Sequence, residues 1–228
     1  MEIHKGIKID DLGLVYKDIL IISDLHIGIE EMLNKKGVLI PRFQLKEIKE
    51  RLEGIFSRNE IKKVIITGDL KHEFGKISNQ EWRDVIELID YLTLKHEVVL
   101  IKGNHDKVLE PILKKRNLKV FDSYEIDDII IMHGDVILPK LNKIIIIGHE
   151  HAAVSFPEKE YEKFKCFLKG KYKKHTLIAM PSFNTLSIGT DVTKNELLSP
   201  FLQQNIKNFE VYVVEDKTYY FGKIRDIL

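Results

Sequence analysis

Cysteine is almost missing from this chain: Cys166 is the only one among 228 residues. A single thiol cannot close an internal disulfide, so a disulfide-stapled scaffold is excluded and a reducing cytoplasm is the expected setting. Long apolar runs are missing as well. None approaches the ~18 residues that a membrane-spanning helix requires. The opening MEIHKGIKIDD has no basic segment followed by an apolar one, so no secretory leader and no membrane association are expected. Charge of one sign is also lacking. A formal net charge of +1 does not by itself mark a nucleic-acid binder. Low-complexity segments, internal repeats and linkers are absent, and the length suits one substantial core, so a single domain over residues 1–228 is expected.

Five apolar, β-branched runs occupy the first two thirds: Ile19 to Ile22, Val64 to Ile66, Val98 to Ile101, Ile129 to Met132 and Ile144 to Ile147. They are continuous rather than alternating, as expected of strands covered on both faces. Helical spacing lies between them. Pro41 stands where a helix would open, ahead of Leu45, Ile48, Leu52 and Ile55. Ser78 with Glu81 reads as a capping box before Trp82, Val85, Ile89 and Leu92, and a shorter helix is expected after Asp106 through Leu113. This alternation predicts an α/β layered fold with a largely parallel sheet. After His151 the pattern turns antiparallel. A hairpin is expected about Gly170, a short strand at Leu186 to Ile188, and strands at Val211 to Val214 and Tyr219 to Phe221, forming a second sheet packed on the first.

Histidine is the unusual component. Of nine, six fall in short motifs with Asp, Asn or Gly, each motif at the end of one apolar run: SDLH, GDLKH, GNHD, MHGD and GHEH. Loops after the carboxyl ends of strands form the ligand crevice of open α/β sheets, so five such loops can meet although they are distant in sequence. Carboxylate and imidazole ligands suit manganese, iron, zinc or similar divalent ions. Asp24, His26, Asp69, Asn104, His133, His149 and His151 are too many for one ion. Two ions ~3.5–4 Å apart that share a carboxylate would use all seven, and such a pair suits displacement at phosphorus.

In order and spacing these motifs, spread over roughly residues 19 to 155, resemble those of the calcineurin-like metallophosphoesterase superfamily. The resemblance implies a four-layer αββα sandwich of two mixed β-sheets. It further implies two metal ions, manganese foremost, with iron, zinc, nickel or cobalt as alternatives. Asp24, His26 and His151 would bind one ion, Asn104, His133 and His149 the other, and Asp69 would bridge. A metal-bridging hydroxide would attack phosphorus, His105 would protonate the leaving oxygen, and Asp106 would orient that ring and favour its cationic form.

The histidine of GDLKH, His72, resembles the one that SbcD-type DNA repair nucleases place beside the scissile phosphate. GDLKHEF and IPRFQ, with weaker echoes in PSFN and GTD, are similar to a small archaeal and bacterial SbcD-related group, some of it associated with ligases. The chain ends without room for the capping domain and ATPase-docking segment of SbcD, so single-stranded DNA is the expected substrate and DNA-repair proteins the expected partners. A phosphodiesterase or phosphatase for small metabolites such as cyclic nucleotides is the alternative, since it would share every ligand. A non-catalytic scaffold, as in a retromer subunit of the superfamily, would have lost ligands that this chain keeps.

Other residues read more plainly. Lys163 to Lys174 carries six lysines among Phe164, Phe167 and Tyr172: either a single-strand groove or a hairpin with its lysines in water and its aromatics in the core. Asp135 and Asp191 read as turn residues, and His4, His96 and His175 as structural. Glu150 is expected to point away from its two histidine neighbours.

Overall fold

The computed structural model describes residues 1–109, 113, 116–157, 159–194 and 196–227. The chain opens with a meander that periodicity did not reveal: β1 (Glu2–His4), β2 (Ile7–Asp10) and β3 (Gly13–Tyr16). The first three apolar runs follow as β4 (Ile19–Ser23), β5 (Lys63–Thr67) and β6 (Glu97–Ile101), which pair in parallel. With β7 (Val120–Phe121) they complete a sheet in the order β1-β2-β3-β4-β5-β6-β7. Among the described residues three full helices belong to this half: α1 (Ile29–Lys35), α2 (Gln44–Arg58) and α3 (Asn79–Thr93). Ile48, Leu52 and Ile55 of α2 and Val85, Leu88, Ile89 and Leu92 of α3 join the core of this sheet.

The second sheet starts with β8 (Ser123–Ile126), β9 (Ile129–Met132) and β10 (Ile144–Ile147). It continues through β11 (Ala152–Phe156), β12 (Lys159–Tyr172), β13 (His175–Ala179), β14 (Thr190–Asp191), β15 (Glu210–Val214) and β16 (Thr218–Lys223). Pairing is mixed: β9, β10 and β13 are parallel, whereas β12 is antiparallel to β11, β13 and β15. Period-two packing is clear here. Ile129, Ile131, Ile146, Phe167, Ile178 and Tyr212 turn toward the first sheet, while Ile130, Met132, Ile145, Ile147, Leu168 and Leu177 form a second core. Phe201, Leu202, Ile206 and a short α4 (Ile224–Ile227) close that outer core. The result is the expected sandwich of two mixed sheets, its outermost layer built more from irregular chain than from helix among the described residues. No described helix is long and apolar enough to cross a membrane.

Several local expectations need correction. The helix α2 does not open at Pro41. Its N-cap is Phe43, which offers no side-chain cap, and the free amides of Phe43 and Gln44 donate instead to Glu30 Oε1 of α1, each at 2.7 Å. A carboxylate from another helix thus outweighs the local proline signal. Gly170 is not a turn: it lies inside β12 opposite Leu177, and the reversal occurs at Lys173, whose φ is 53°. A side chain at Gly170 would strike the Phe209 ring, so close packing is what requires glycine there. Leu186 to Ile188 is not a strand. The helix expected after Asp106 lies largely outside the described residues. The capping box at Ser78 and Glu81 is present.

Candidate metal centre

Each of the five motif loops leaves the carboxyl end of its strand. Asp24 and His26 follow β4, Asp69 follows β5, Asn104 follows β6, His133 follows β9, and His149 and His151 follow β10. Five of these residues sit in the left-handed region: Asp24 (φ 53°), His26 (45°), Asp69 (43°), His149 (65°) and His151 (50°). Aspartate and histidine tolerate this region better than most side chains, although it remains sparsely populated. The turns are tight because the loops lie on one another. A side chain at Gly148 would collide with Ser23 and Asp24, so glycine alone lets the β10 loop close over that carboxylate.

The side chains gather into two groups that share Asp69. In one, a ligand atom from each of Asp24, His26, Asp69 and His151 lies within 4.8 Å of the others; in the second, the same holds for Asp69, His133 and His149. His26 Nε2 and His151 Nε2 are 3.1 Å apart, with His151 Nε2 3.5 Å from Asp24 Oδ1 and His26 Nε2 3.7 Å from Asp69 Oδ2. Across the centre, His133 Nε2 is 3.1 Å from His149 Nδ1, 2.9 Å from Asn104 Oδ1 and 3.5 Å from Asp69 Oδ2. All seven candidate ligands are therefore brought together.

The electrostatics suit cations. Burial holds the His26 ring well below its usual range, and burial also lowers His149, so these imidazoles present lone pairs rather than charge. Burial, followed by the charges of Asp24 and Asp106, pushes Asp69 up to about 9. For Asp24, burial raises the carboxyl, but the facing His151, His133 and His26 outweigh it and hold it below the ordinary range. Asp24 Oδ1 is buried without a hydrogen-bond partner. Converging lone pairs, two close carboxylates and an orphaned carboxylate oxygen are a donor set that divalent cations fit.

A family model described as calcineurin-like phosphoesterase matches residues 17–205. The chain belongs to that family. It is a metal-dependent phosphoesterase, a hydrolase of phosphate esters. Among solved structures, the fold is similar to that of the Pseudomonas putida nuclease MPE, at TM-score 0.68 and 16% identity over 92% of each chain. Two more matches are weaker. The E. coli phosphoesterase Yfce gives TM-score 0.42 and 15% identity over 87% of this chain and 88% of that one. Chaetomium thermophilum Vps29 gives TM-score 0.40 and 13% identity over 86% and 81%. No curated protein sequence gives a significant match.

Around the ligands of this phosphoesterase, the non-ligand residues are placed as follows. His105 lies against the centre: its backbone amide donates to Asp69 Oδ1 at 2.9 Å, and its Nε2 is 3.8 Å from Asp69 Oδ2. The orienting role expected of Asp106 is not what the structure shows. The buried Asp106 carboxylate accepts from the amides of Leu70 (3.1 Å), Gly103 (3.0 Å) and Lys71 (3.4 Å), and so ties two motif loops together. The partner of His105 Nδ1 is the His72 carbonyl oxygen. Nor is the ring kept cationic: burial lowers it to about 4. His72 stands in the site, its Nδ1 3.4 Å from His26 Nδ1, and His26, His72 and His105 form a third close group.

Two supporting residues, Gln44 and Phe74, were not singled out from the sequence, and a third, Glu81, was read only as a helix cap. Gln44, buried at the start of α2, donates to the carbonyls of Leu25 and His26, both at 3.0 Å, and accepts from Gly28 N at 3.2 Å. The IPRFQ segment was the signal that could have found it. Glu81, beyond its capping role, accepts from the amides of His72 (3.0 Å) and Glu73 (2.6 Å). Phe74 lies on the His105 ring, with centroids 3.6 Å apart.

The remaining candidates behave structurally. Glu150 points away and accepts from the amides of Leu198 and Ser199. Asp191 holds a turn through Ser155 and Thr193. His96 stacks on Phe56, and His175 Nδ1 faces the Asn142 carbonyl oxygen. The lysine-rich stretch belongs to the β12–β13 hairpin, but not all its lysines are in water: the Lys165 ammonium is buried and donates to the Ser182 and Asn184 carbonyls. Phe167 is fully buried and Tyr172 nearly so, while Lys169 pairs with Glu210, so no row of aromatic faces is open to bases there.

Proposed function

We propose that this calcineurin-like phosphoesterase is a manganese-dependent nuclease of the SbcD-related type that cuts single-stranded DNA internally and works in the cytoplasm beside DNA-repair proteins. The observation that carries this reading is the position of His72. The histidine of GDLKH stands within the site, against both His26 and the stacked His105 ring (centroids 5.7 Å, 29° between planes). The fold shared with a Pseudomonas putida nuclease supports it. So does a cleft of about 300 Å³ beside Asn104 and His133, where Lys102 and Lys107 can meet neighbouring phosphates of a strand.

Asp24, His26 and His151, with Asp69 shared, would hold one cation, and Asn104, His133 and His149 the other. Divalent ions bound there would supply Lewis acidity at a phosphoryl oxygen and lower the pKa of water. The protein's own contribution is positional. The His72 carbonyl accepts from His105 Nδ1 and so fixes the ring with Nε2 toward the site. That nitrogen is the one placed to pass a proton to the leaving oxygen, and an anionic phosphodiester nearby would favour its protonation. Asp106 keeps the loops of Asp69 and His105 in register rather than acting on the ring.

The test is nicking of circular single-stranded DNA by the manganese-loaded protein, with duplex DNA, RNA, cyclic nucleotides and phosphomonoesters assayed alongside. Linearised circles, and loss of at least about 100-fold in rate for His105→Ala, are expected. Intact circles together with rapid turnover of a cyclic nucleotide would replace this reading with that of a small-metabolite phosphodiesterase.

A further inference from the structure

Phe74 is 60% exposed, yet its ring rests on the residue placed to protonate the leaving group. Isolated exposed apolar residues are ordinary and need no explanation. This one differs in what it continues. The rings of His72 and His105 lie 29° from parallel with centroids 5.7 Å apart, and Phe74 packs on His105 at 33° and 3.6 Å. Ring contacts therefore run from the ligand His26 through His72 and His105 to the exposed ring of Phe74.

The backbone leading to Phe74 is held on both its donor and acceptor sides. Glu81 accepts from the amides of His72 and Glu73, and the ammonium of the fully buried Lys71 donates to the Glu73 carbonyl oxygen. The ring itself stays largely exposed, so its outer side is open to solvent. An aromatic ring fixed from behind and open in front is a preformed stacking surface, in which little freedom is left to lose on binding.

We propose that Phe74 forms a subsite for a planar ring on the leaving-group side of the metal centre, and that its occupant is the base of the departing nucleotide. Stacking accepts any base, because each has a π-face, so the subsite would favour nucleotides over simple alkyl esters without selecting a sequence. The assignment rests on the phosphodiesterase reading above. It also gives a use for the distance between the exposed ring and the ligands: the phosphate reaches the centre while its base remains outside on Phe74.

The test uses the manganese-loaded full chain with two probes. The first is bis(p-nitrophenyl) phosphate, a diester with planar leaving groups. Phe74→Ala and Phe74→Leu are expected to raise KM about 5- to 100-fold, as loss of one stacked ring implies, with the loss falling on KM more than on kcat. Phe74→Trp should restore it. Leucine keeps the apolar cover over His105 but not the flat face, so it separates stacking from shielding. An unchanged KM in the alanine variant, or leucine serving as well as phenylalanine, would overturn the subsite.

The second probe is a single-stranded oligonucleotide, intact or with an abasic residue on the leaving side of its cleavage position. Wild-type protein should prefer the intact strand, and Phe74→Ala should lose that preference. If the aryl diester is hydrolysed and no oligonucleotide is cut, the nuclease reading fails, while the KM comparison on the aryl diester still decides the subsite.

Discussion

Gln44 makes no contact with a candidate ligand's side chain, yet metal affinity should depend on it. Its amide bridges three backbone groups of the loop that carries His26: the carbonyls of Leu25 and His26 and the amide of Gly28. Gln44→Ala removes all three hydrogen bonds. At about 0.5–1.5 kcal/mol net for each, the metal-free protein should lose about 2–4 kcal/mol. Urea unfolding in the presence of a chelator measures this. Freed from its brace, the His26 loop must be ordered again by the ion, and support of this kind is worth about 10- to 100-fold in metal affinity. Calorimetric titration with manganese should show that weakening. Gln44→Met, which keeps most of the volume, should lose as much affinity with less loss of stability, and Gln44→Glu should be worse, because a carboxylate would face two carbonyl oxygens. Wild-type manganese affinity in a folded Gln44→Ala protein would refute the bracing argument.

Other outcomes follow from the same geometry. Glu81→Ala should cost about 1–3 kcal/mol through the lost cap and the freed amides of His72 and Glu73, and should reduce hydrolysis more than it lowers the melting temperature; Glu81→Gln should recover part of both. Manganese at about 100 times its Kd should raise unfolding stability by about 2.7 kcal/mol for each site filled, and Asp69→Asn, which weakens the carboxylate common to both ligand groups, should remove most of that gain in the same denaturation experiment. Lys165 offers a pH signature. Burial lowers its ammonium to about 7 from 10.5, with Arg51 lowering it further and Asp24 and Glu47 opposing. Between those values the unfolded chain binds the extra proton, so this lysine makes stability rise with pH by up to about 1.4 kcal/mol per unit. Below about 7 both states are charged and its contribution is flat. Paired urea titrations of wild type and Lys165→Met at pH 7 and 9 should show the wild type gaining on the variant.

Much of the candidate site was legible because each ligand sits in a short motif at the end of an apolar run, where strand chemistry and ligand chemistry are neighbours in sequence. That two ions would share a carboxylate was inferable from the number of candidates; that Asp69 would be the shared one came from the family resemblance, and Asp69 is the residue common to both ligand groups. The residues that brace those ligands were not legible in the same way. Gln44 and Glu81 act through backbone groups 19 residues away or fewer, but nothing in a glutamine or a capping glutamate reveals which loop it will hold. Asp106 misled for the opposite reason. Its place next to His105 suggested a side-chain partnership, whereas burial directs its carboxylate to three amides. In the fold, Pro41 carried a helix-start signal and Gly170 a turn signal that tertiary contacts overrode: Glu30 caps α2 later than the proline implies, and the Phe209 ring claims the space above Gly170. The strands β1 to β3 were missed because they are too short for periodicity to register.

The left-handed ligands connect these observations. Parallel strands deliver side chains to one edge of a sheet, but the chain continues outward there, and a ligand in extended backbone would point past the centre. Alternation already turns residues two apart to the same side, and the positive φ at Asp24, His26, His149 and His151 bends the chain sharply at each of these ligands. For an ordinary side chain that conformation costs roughly 1–2 kcal/mol, and five such residues are packed among neutral imidazoles and two carboxylates that burial keeps from sharing full charge. These terms all weigh against the metal-free centre. The electrostatic terms reverse when cations are present, since close carboxylates and facing lone pairs then become ligands. The features that weaken this corner of the fold are thus the ones that make it competent to bind metal, and the hydrogen bonds of Gln44, Glu81 and Asp106 offset their cost by holding the loops in place before an ion arrives.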